Sequence, residues 1–397
     1  LQNQNFTTTT DNYNVAVGYN AGNDVTTGTF NTLLGGLAGD ALTTSSGNTA
    51  VGYAALSAAT TADLNTAIGF GALTTNILSD RNVALGYEAL SQHNTTTSND
   101  SYNTGLGYNA GRVVTTGTNN TFVGGLSGDA ITEGFQNTSL GSGSLTSDTL
   151  GSTAVAIGFN ALNSQNFTTA TNNYNVGVGY SAGSAITTGI RSALIGGLAG
   201  DALTEGGNNV ALGYASLGAD TLGSNSVAVG GGALGSQNFT TATDAYNVAV
   251  GHNAGISIST GIQNTIVGAL AGDALTDADF NVALGYQALT NDTLGSRSTA
   301  LGRSALNAQN FTTATEVYNV AVGFNAGLSI STGFRNTLIG GLVGDSLTDA
   351  DNNVAIGYAA LTTDTLGSGA VAVGAGALNS QNFTTATTNY NVGVGLD

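Results

Sequence analysis

Carboxylates recur on a fixed schedule in this chain. Asp40, Asp129, Asp201, Asp273 and Asp345 each sit in a Gly-Asp-Ala or Gly-Asp-Ser step, and Asp148, Asp220, Asp292 and Asp364 form a second series. Carboxylate oxygens are hard ligands, and a calcium site needs several of them converging. Only one recurs at each step, although a threefold axis would gather three copies. The Gly-Gly-x-Gly-x-Asp nonapeptide of calcium-binding β-rolls is absent. Both series read as turn residues, because Asp caps its own backbone in turns. The Asp40 series stays as a weak set of metal candidates. No cofactor is expected apart from that calcium option.

Other reactive groups are few. His93 and His252 do not recur at equivalent positions, and there is no Cys. No Ser-His-Asp set can be assembled, so no catalytic residue is assigned and the chain is not read as an enzyme. The glycines at Gly105, Gly107 and Gly111 have the wrong spacing for a dinucleotide loop and no βαβ unit follows. Asn166-Phe167-Thr168 and its copies at Asn238-Phe239, Asn310-Phe311 and Asn382-Phe383 match the glycosylation acceptor pattern. These loops are the candidate surface-contact or glycosylated positions. Thr pairs such as Thr26-Thr27 and Thr115-Thr116 suggest an ice-binding array, but the pair occurs in one coil of four, and solvated loop is the simpler reading.

Composition narrows the class. Charged residues make up 8% of the 397, yet the net charge is −18, and no Lys is present. Phosphate binding needs Lys and Arg, so nucleic acid and anionic membranes are excluded as partners. No apolar run approaches the ~18 residues of a membrane span. The missing Met and the start at Leu1 read as a segment of a longer or processed chain.

What positions these residues is a repeat. The phrase Asn14-Val15-Ala16-Val17-Gly18 occurs 22 times, with Gly always fifth and Val, Leu or Ile always fourth. Most copies start 17 residues after the last, with a 21-residue step closing each superunit. The superunits are 14–102, 103–174, 175–246, 247–318 and 319–390, and the first holds one extra 17-residue step. Inserting one whole step preserves stacking only if the step is a physical coil. The chain is therefore read as all-β, a parallel β-solenoid of 17- and 21-residue coils, one repetitive domain over 1–397.

Within a coil such as Asn281 to Arg297, Val282-Ala283-Leu284 reads as a strand ended by Gly285, with a corner at Tyr286-Gln287 and a second extended stretch from Ala288-Leu289. Neighbouring strands should pair in parallel at ~4.8 Å per coil. The leading Asn should hydrogen-bond along the stack. Positions two and four share a face, and position four is expected to fill the interior. Position three is then outside, yet it is small in most coils and large at Leu33, Phe122, Leu194, Ile266 and Leu338. A strand apolar on both faces is covered on both, which points to another copy of the chain against position three, and to a homotrimer.

Ser226-Val227-Ala228-Val229-Gly230 and Ala154-Val155-Ala156-Ile157-Gly158 resemble the Ser-Val-Ala-Ile-Gly head repeats of trimeric autotransporter adhesins, the YadA-type head. Asn48-Thr49-Ala50-Val51-Gly52-Tyr53-Ala54-Ala55-Leu56 resembles repeats of phage tail-fibre-like proteins that end in an endosialidase-type chaperone domain. The resemblance implies a left-handed, trimeric β-roll on a cell surface or virion tail. The adhesin heads use a shorter coil. The expected function is a structural extracellular fibre or adhesin shaft, presenting loops or a distal tip to a cell-surface or glycan receptor. The alternatives are a monomeric calcium- or ice-binding solenoid and a subunit of an end-to-end filament.

Overall fold

A computed structural model describes residues 1–396. They are all-β, with no helix, and form a parallel solenoid. The chain divides into two compact units, Leu1–Ile195 and Gly196–Asp397. Each unit holds eleven three-residue strands at positions two to four of the phrase. Within a unit, successive strands pair in parallel and in strict register: Val15 lies beside Thr32, and Val282 beside Thr299.

The strand ends at the phrase glycine. Gly285 has φ 138°, a region open to residues without a Cβ. A Cβ built there would lie 2.5 Å from the Gly302 carbonyl oxygen in the next coil. Two or three further residues per coil turn the corners with φ near 50°, including Gln287, Leu289 and Arg297. Leu289 therefore does not begin an extended stretch, as the sequence suggested. A left-handed residue bends the chain where a strand would run straight. Short second strands occur only where a return meets a 21-residue coil, as Gly295–Ser296 beside Thr315–Glu316.

The leading Asn makes the ladder. Asn14 Oδ1 accepts the Asn31 N–H (2.8 Å), and Asn31 Oδ1 the Asn48 N–H (3.0 Å). Each amide also donates across the coil, as Asn31 Nδ2 to the Ser45 carbonyl at 2.8 Å. In the long coils of the later superunits Asn gives way to Ser or Ala, and the ladder restarts from the loop. Asn173 Oδ1 there accepts the Asn175 N–H at 2.9 Å. Asn137 Oδ1 still accepts from Ala154, so Ala at that place leaves no donor unpaired.

The two faces of the strand are the reverse of the expectation. Position three points inward: Ala50, Ala84, Ala211 and Ala283 are fully buried. Positions two and four point outward, and Val17, Leu85 and Leu284 are 56%, 43% and 41% exposed. The cause is the narrowness of the coil. At Gly105 a Cβ would sit 2.8 Å from Leu90 Cγ and 3.0 Å from the Ala110 carbonyl oxygen. Position three is small because a leucine already fills the space, not because a second chain approaches. Leu33, Phe122, Leu194, Ile266 and Leu338 are also interior. Glycines make their room: Cβ atoms at Gly22 and Gly39 would lie 2.6 and 2.8 Å from the Leu33 methyls.

Replacing Gly285 by Ala forces a side chain into a disfavoured φ and against backbone that cannot yield. Each such conflict costs on the order of 1–3 kcal/mol. The expected loss is at least ~2 kcal/mol, confined to the coils on either side and read by native-state hydrogen exchange over 268–302.

Candidate functional site

Position twelve of the coil decides where chemistry can sit. Val25, Leu42, Val114 and Ile131 occupy it in the coils that carry Gly at position nine. Where position nine is leucine, as at Leu56, Leu145 and Leu162, position twelve is small or polar. Among these polar residues, Asp148, Asp220, Asp292 and Asp364 are fully buried. So are Gln165, Gln237 and Gln309 in the following long coils.

These pairs form a closed network. Asp148 Oδ1 accepts the Gly151 N–H (3.1 Å) and the Phe167 N–H (3.0 Å), and its Oδ2 accepts Gln165 Nε2 at 2.7 Å. Gln165 Oε1 in turn accepts Asn175 Nδ2 at 2.9 Å. Asp220 with Gln237, and Asp364 with Gln381, repeat the arrangement. A buried polar network is tolerable only when its members are satisfied. Here the carboxylate anchors the first residues of the long return. Burial nevertheless pushes the Asp148 and Asp220 carboxyls above their ordinary value, and the donated hydrogen bonds only partly offset it.

The long return itself places Asn166, Asn238, Asn310 and Asn382 in solvent. Their Oδ1 atoms accept hydroxyls of Thr149, Thr221, Thr293 and Thr365 at 3.0–3.4 Å. Phe167, Phe239 and Phe311 fold back and are nearly buried, while Phe383 is partly covered. Thr168, Thr169 and Ala170 are the exposed crest.

The Asp40 series lies elsewhere, at position ten of the second coil. Asp129, Asp273 and Asp345 each accept the hydroxyl of the threonine one coil on, Thr146, Thr290 and Thr362. Asp40 has Ser57 at that place, and its Oδ1 has no partner. Asp201 faces Gly218. Burial raises the Asp40 and Asp201 carboxyls. Among the described residues no three His, Asp or Glu side chains gather as a metal site. The threonine column is likewise engaged: Thr26 and Thr43 hydroxyls donate to the Thr43 and Thr60 carbonyls at 3.1 and 2.8 Å.

The outward face of the strands is an extended surface without charge. No charged residue stands at position two or four in any of the 22 copies of the phrase. Aromatic columns flank it. In the first unit Tyr53, Phe70, Tyr87 and Tyr108 stack at 5.3–5.5 Å between centroids. In the second unit Arg303 lies 5.5 Å over Phe324, and Arg297 4.6 Å over Phe280.

At His93 both polar side-chain atoms are buried and unmatched. His93 takes the place of Gln165 in the first superunit, with Asn76 in the place of Asp148. It is fully buried, and neither ring nitrogen has a hydrogen-bond partner. The Thr115 carbonyl pulls the ring weakly toward protonation but is already taken by the Asn94 N–H at 2.9 Å. Burial dominates and lowers the imidazole to about 4. Sequence reading noted His93 only as a non-recurring histidine, and placed neither it nor the glutamines in the interior. The available signal was a column that switches between aliphatic and polar residues with the Gly or Leu at position nine.

Asp220→Ala strands the Gly223 and Phe239 N–H groups and leaves Gln237 Nε2 with only its bond to Ser226 Oγ. At about 1–3 kcal/mol for each unpaired buried group, the 220–245 region should lose ~3 kcal/mol or more and become cleavable near Phe239 under limited proteolysis. In the intact chain the pH effect has a definite sign. A carboxyl raised in the folded state binds its proton more tightly there, so stability rises as pH falls from neutral toward the unfolded value. Hydrogen exchange around Asp148 and Asp220 should therefore slow between pH 7 and pH 4, after correction for intrinsic rates.

Comparison with family models, with curated proteins and with solved structures finds no match to this chain.

Proposed function

We propose that the chain is a structural extracellular shaft, of a fibre or adhesin, in which three copies associate side by side along left-handed coils. The observation that carries this reading is the charge-free outward face. A chain of net charge −18 repels its own copies, yet it keeps two aliphatic or threonine columns clear of every carboxylate. Large exposed apolar surfaces mark interaction sites. The matching partner must present apolar groups at the same axial interval, which a second copy does by its own repeat. The contact runs through positions two and four, while position three stays in the interior.

The crest residues of the long returns, Thr168 to Ala170 and their equivalents, are the surface such a shaft offers to a receptor or to glycosylation at Asn166. The ice-binding alternative requires free, regularly spaced hydroxyls, and the first threonine of the pairs, as Thr26 and Thr115, spends its hydroxyl on a carbonyl of the next coil. The calcium alternative needs more oxygen donors than one threonine-bonded carboxylate.

Native mass spectrometry tests the proposal directly, with three chains the expected mass. In Leu212→Glu/Leu284→Glu, two outward side chains become carboxylates. An unpaired charge buried in an interface costs about 3 kcal/mol or more, so the dissociation constant should rise more than ~100-fold while the β-type circular dichroism is kept. A wild-type chain that remains single at micromolar concentration overturns the reading.

A further inference from the structure

We infer that the long coil around His93 is an acid-sensitive latch, which opens when the imidazole takes a proton and leaves the coil interior. The geometry that carries this is a contrast between equivalent coils. In the later superunits the interior step is an Asp accepting from a Gln, and the Asp also holds the N–H of the loop phenylalanine, as Phe167. In the first superunit Asn76 keeps only the local pair with Ser79, at 3.0 and 2.8 Å. The bond to the next coil's side chain is missing, and His93 lies there with both nitrogens unpartnered. The loop anchor is weaker too. Thr95 replaces the phenylalanine and is held by hydroxyl bonds to Ser79, Thr97 and Asn99 instead of by apolar burial.

A neutral imidazole tolerates this place as a partly apolar ring. An imidazolium has two N–H donors and a full charge, and burying a charge without a partner is expensive. The charged groups of the three coils concerned give no relief. Asp80 and Arg81 belong to the preceding coil, Glu88 and Asp100 to the same coil, and Arg112 to the following one. Arg81 and Asp100 pair with each other at the surface. Tyr87, Tyr102 and Tyr108 are exposed. None of these groups contributes to the depressed imidazole value, which burial sets. A group whose folded value lies below its unfolded one leaves stability intact above the unfolded value. That stability is lost as pH falls toward the folded one. For His93 the window runs from about 6.5 down to about 4. Asp148 and Asp220 respond with the opposite sign, since their carboxyls are raised by burial.

Hydrogen exchange of the full chain between pH 7 and pH 4 reads this directly, comparing 88–103 with the equivalent 160–175. Linkage over that window predicts that the opening equilibrium of 88–103 rises about 100-fold, while 160–175 does not open further. No rise in 88–103, or an equal rise in both segments, overturns the inference. Asn76→Asp/His93→Gln installs the Asp148–Gln165 arrangement and should abolish the acid response. If the folded double variant still opens at pH 4, the latch is not His93. The wild-type series stands as a test whether or not the variant folds.

Discussion

The volume inside one coil is the constraint on which the structure depends. A 17-residue turn leaves room for little more than one large side chain at the leucine corner, and three inward positions compete for it. When position nine is leucine, as at Leu90, position three of the next coil shrinks to Gly105, with no space for a methyl. When position nine is Gly22 or Gly39, Leu33 enters from the strand instead. The corner leucines adopt a left-handed φ, near 50° at Leu56, Leu90 and Leu162. That conformation costs about 1–2 kcal/mol, against about 1.5–3 kcal/mol from burying the side chain. The margin is small, so a leucine occupies the corner only in coils where nothing else fills the centre.

The same balance explains where polarity is admitted. With the leucine at position nine, position twelve needs no aliphatic group, and Asp148 and Gln165 can meet there. Their bond runs between successive coils, and so does the asparagine ladder. Backbone pairing alone would let coils slide in their details. The ladder and the Asp–Gln steps fix which coil follows which, because each side chain must find its particular partner. They also decide where the chain can lengthen. The Phe167 N–H bonded to Asp148 clamps the start of the longer return, and Asn173 restarts the ladder at its end. The residues between the two clamps, Thr168 to Asn172, stay out of the interior.

Much of this was legible in the sequence. A period of 17 with whole-step insertions specifies a stacked coil, and invariant Gly after three β-prone residues specifies strand and corner. The asparagine ladder followed from turn preference and stacking. The orientation of the strand did not. Alternation separates Val15 and Val17 from Ala16 but carries no sign, and both sets are apolar. The usual expectation that the larger side chains lie inside fails here because the enclosure is so narrow. Leu289 misled for a related reason: its type suits a strand, and only the tertiary need for a corner filler places it at φ 54°. Gln165 and His93 were hidden because polar residues near Gly and Asn read as corners unless their column is compared coil by coil.

Reversing the faces changes the argument for association rather than removing it. Alanines against alanines would have bound copies through close backbone approach. In the proposed assembly, exposed Val, Leu and Ile columns would bind copies through removal of apolar area, at about 25 cal/mol per Å2. The aliphatic columns recur at every coil and are therefore indifferent to sliding by one coil or more. The long returns are not, since they recur only at the superunit spacing. Two copies that slide by one coil would set a long return level with a shorter one. In the proposed assembly the outward columns would thus supply affinity without axial register, and only the long returns differ along the axis.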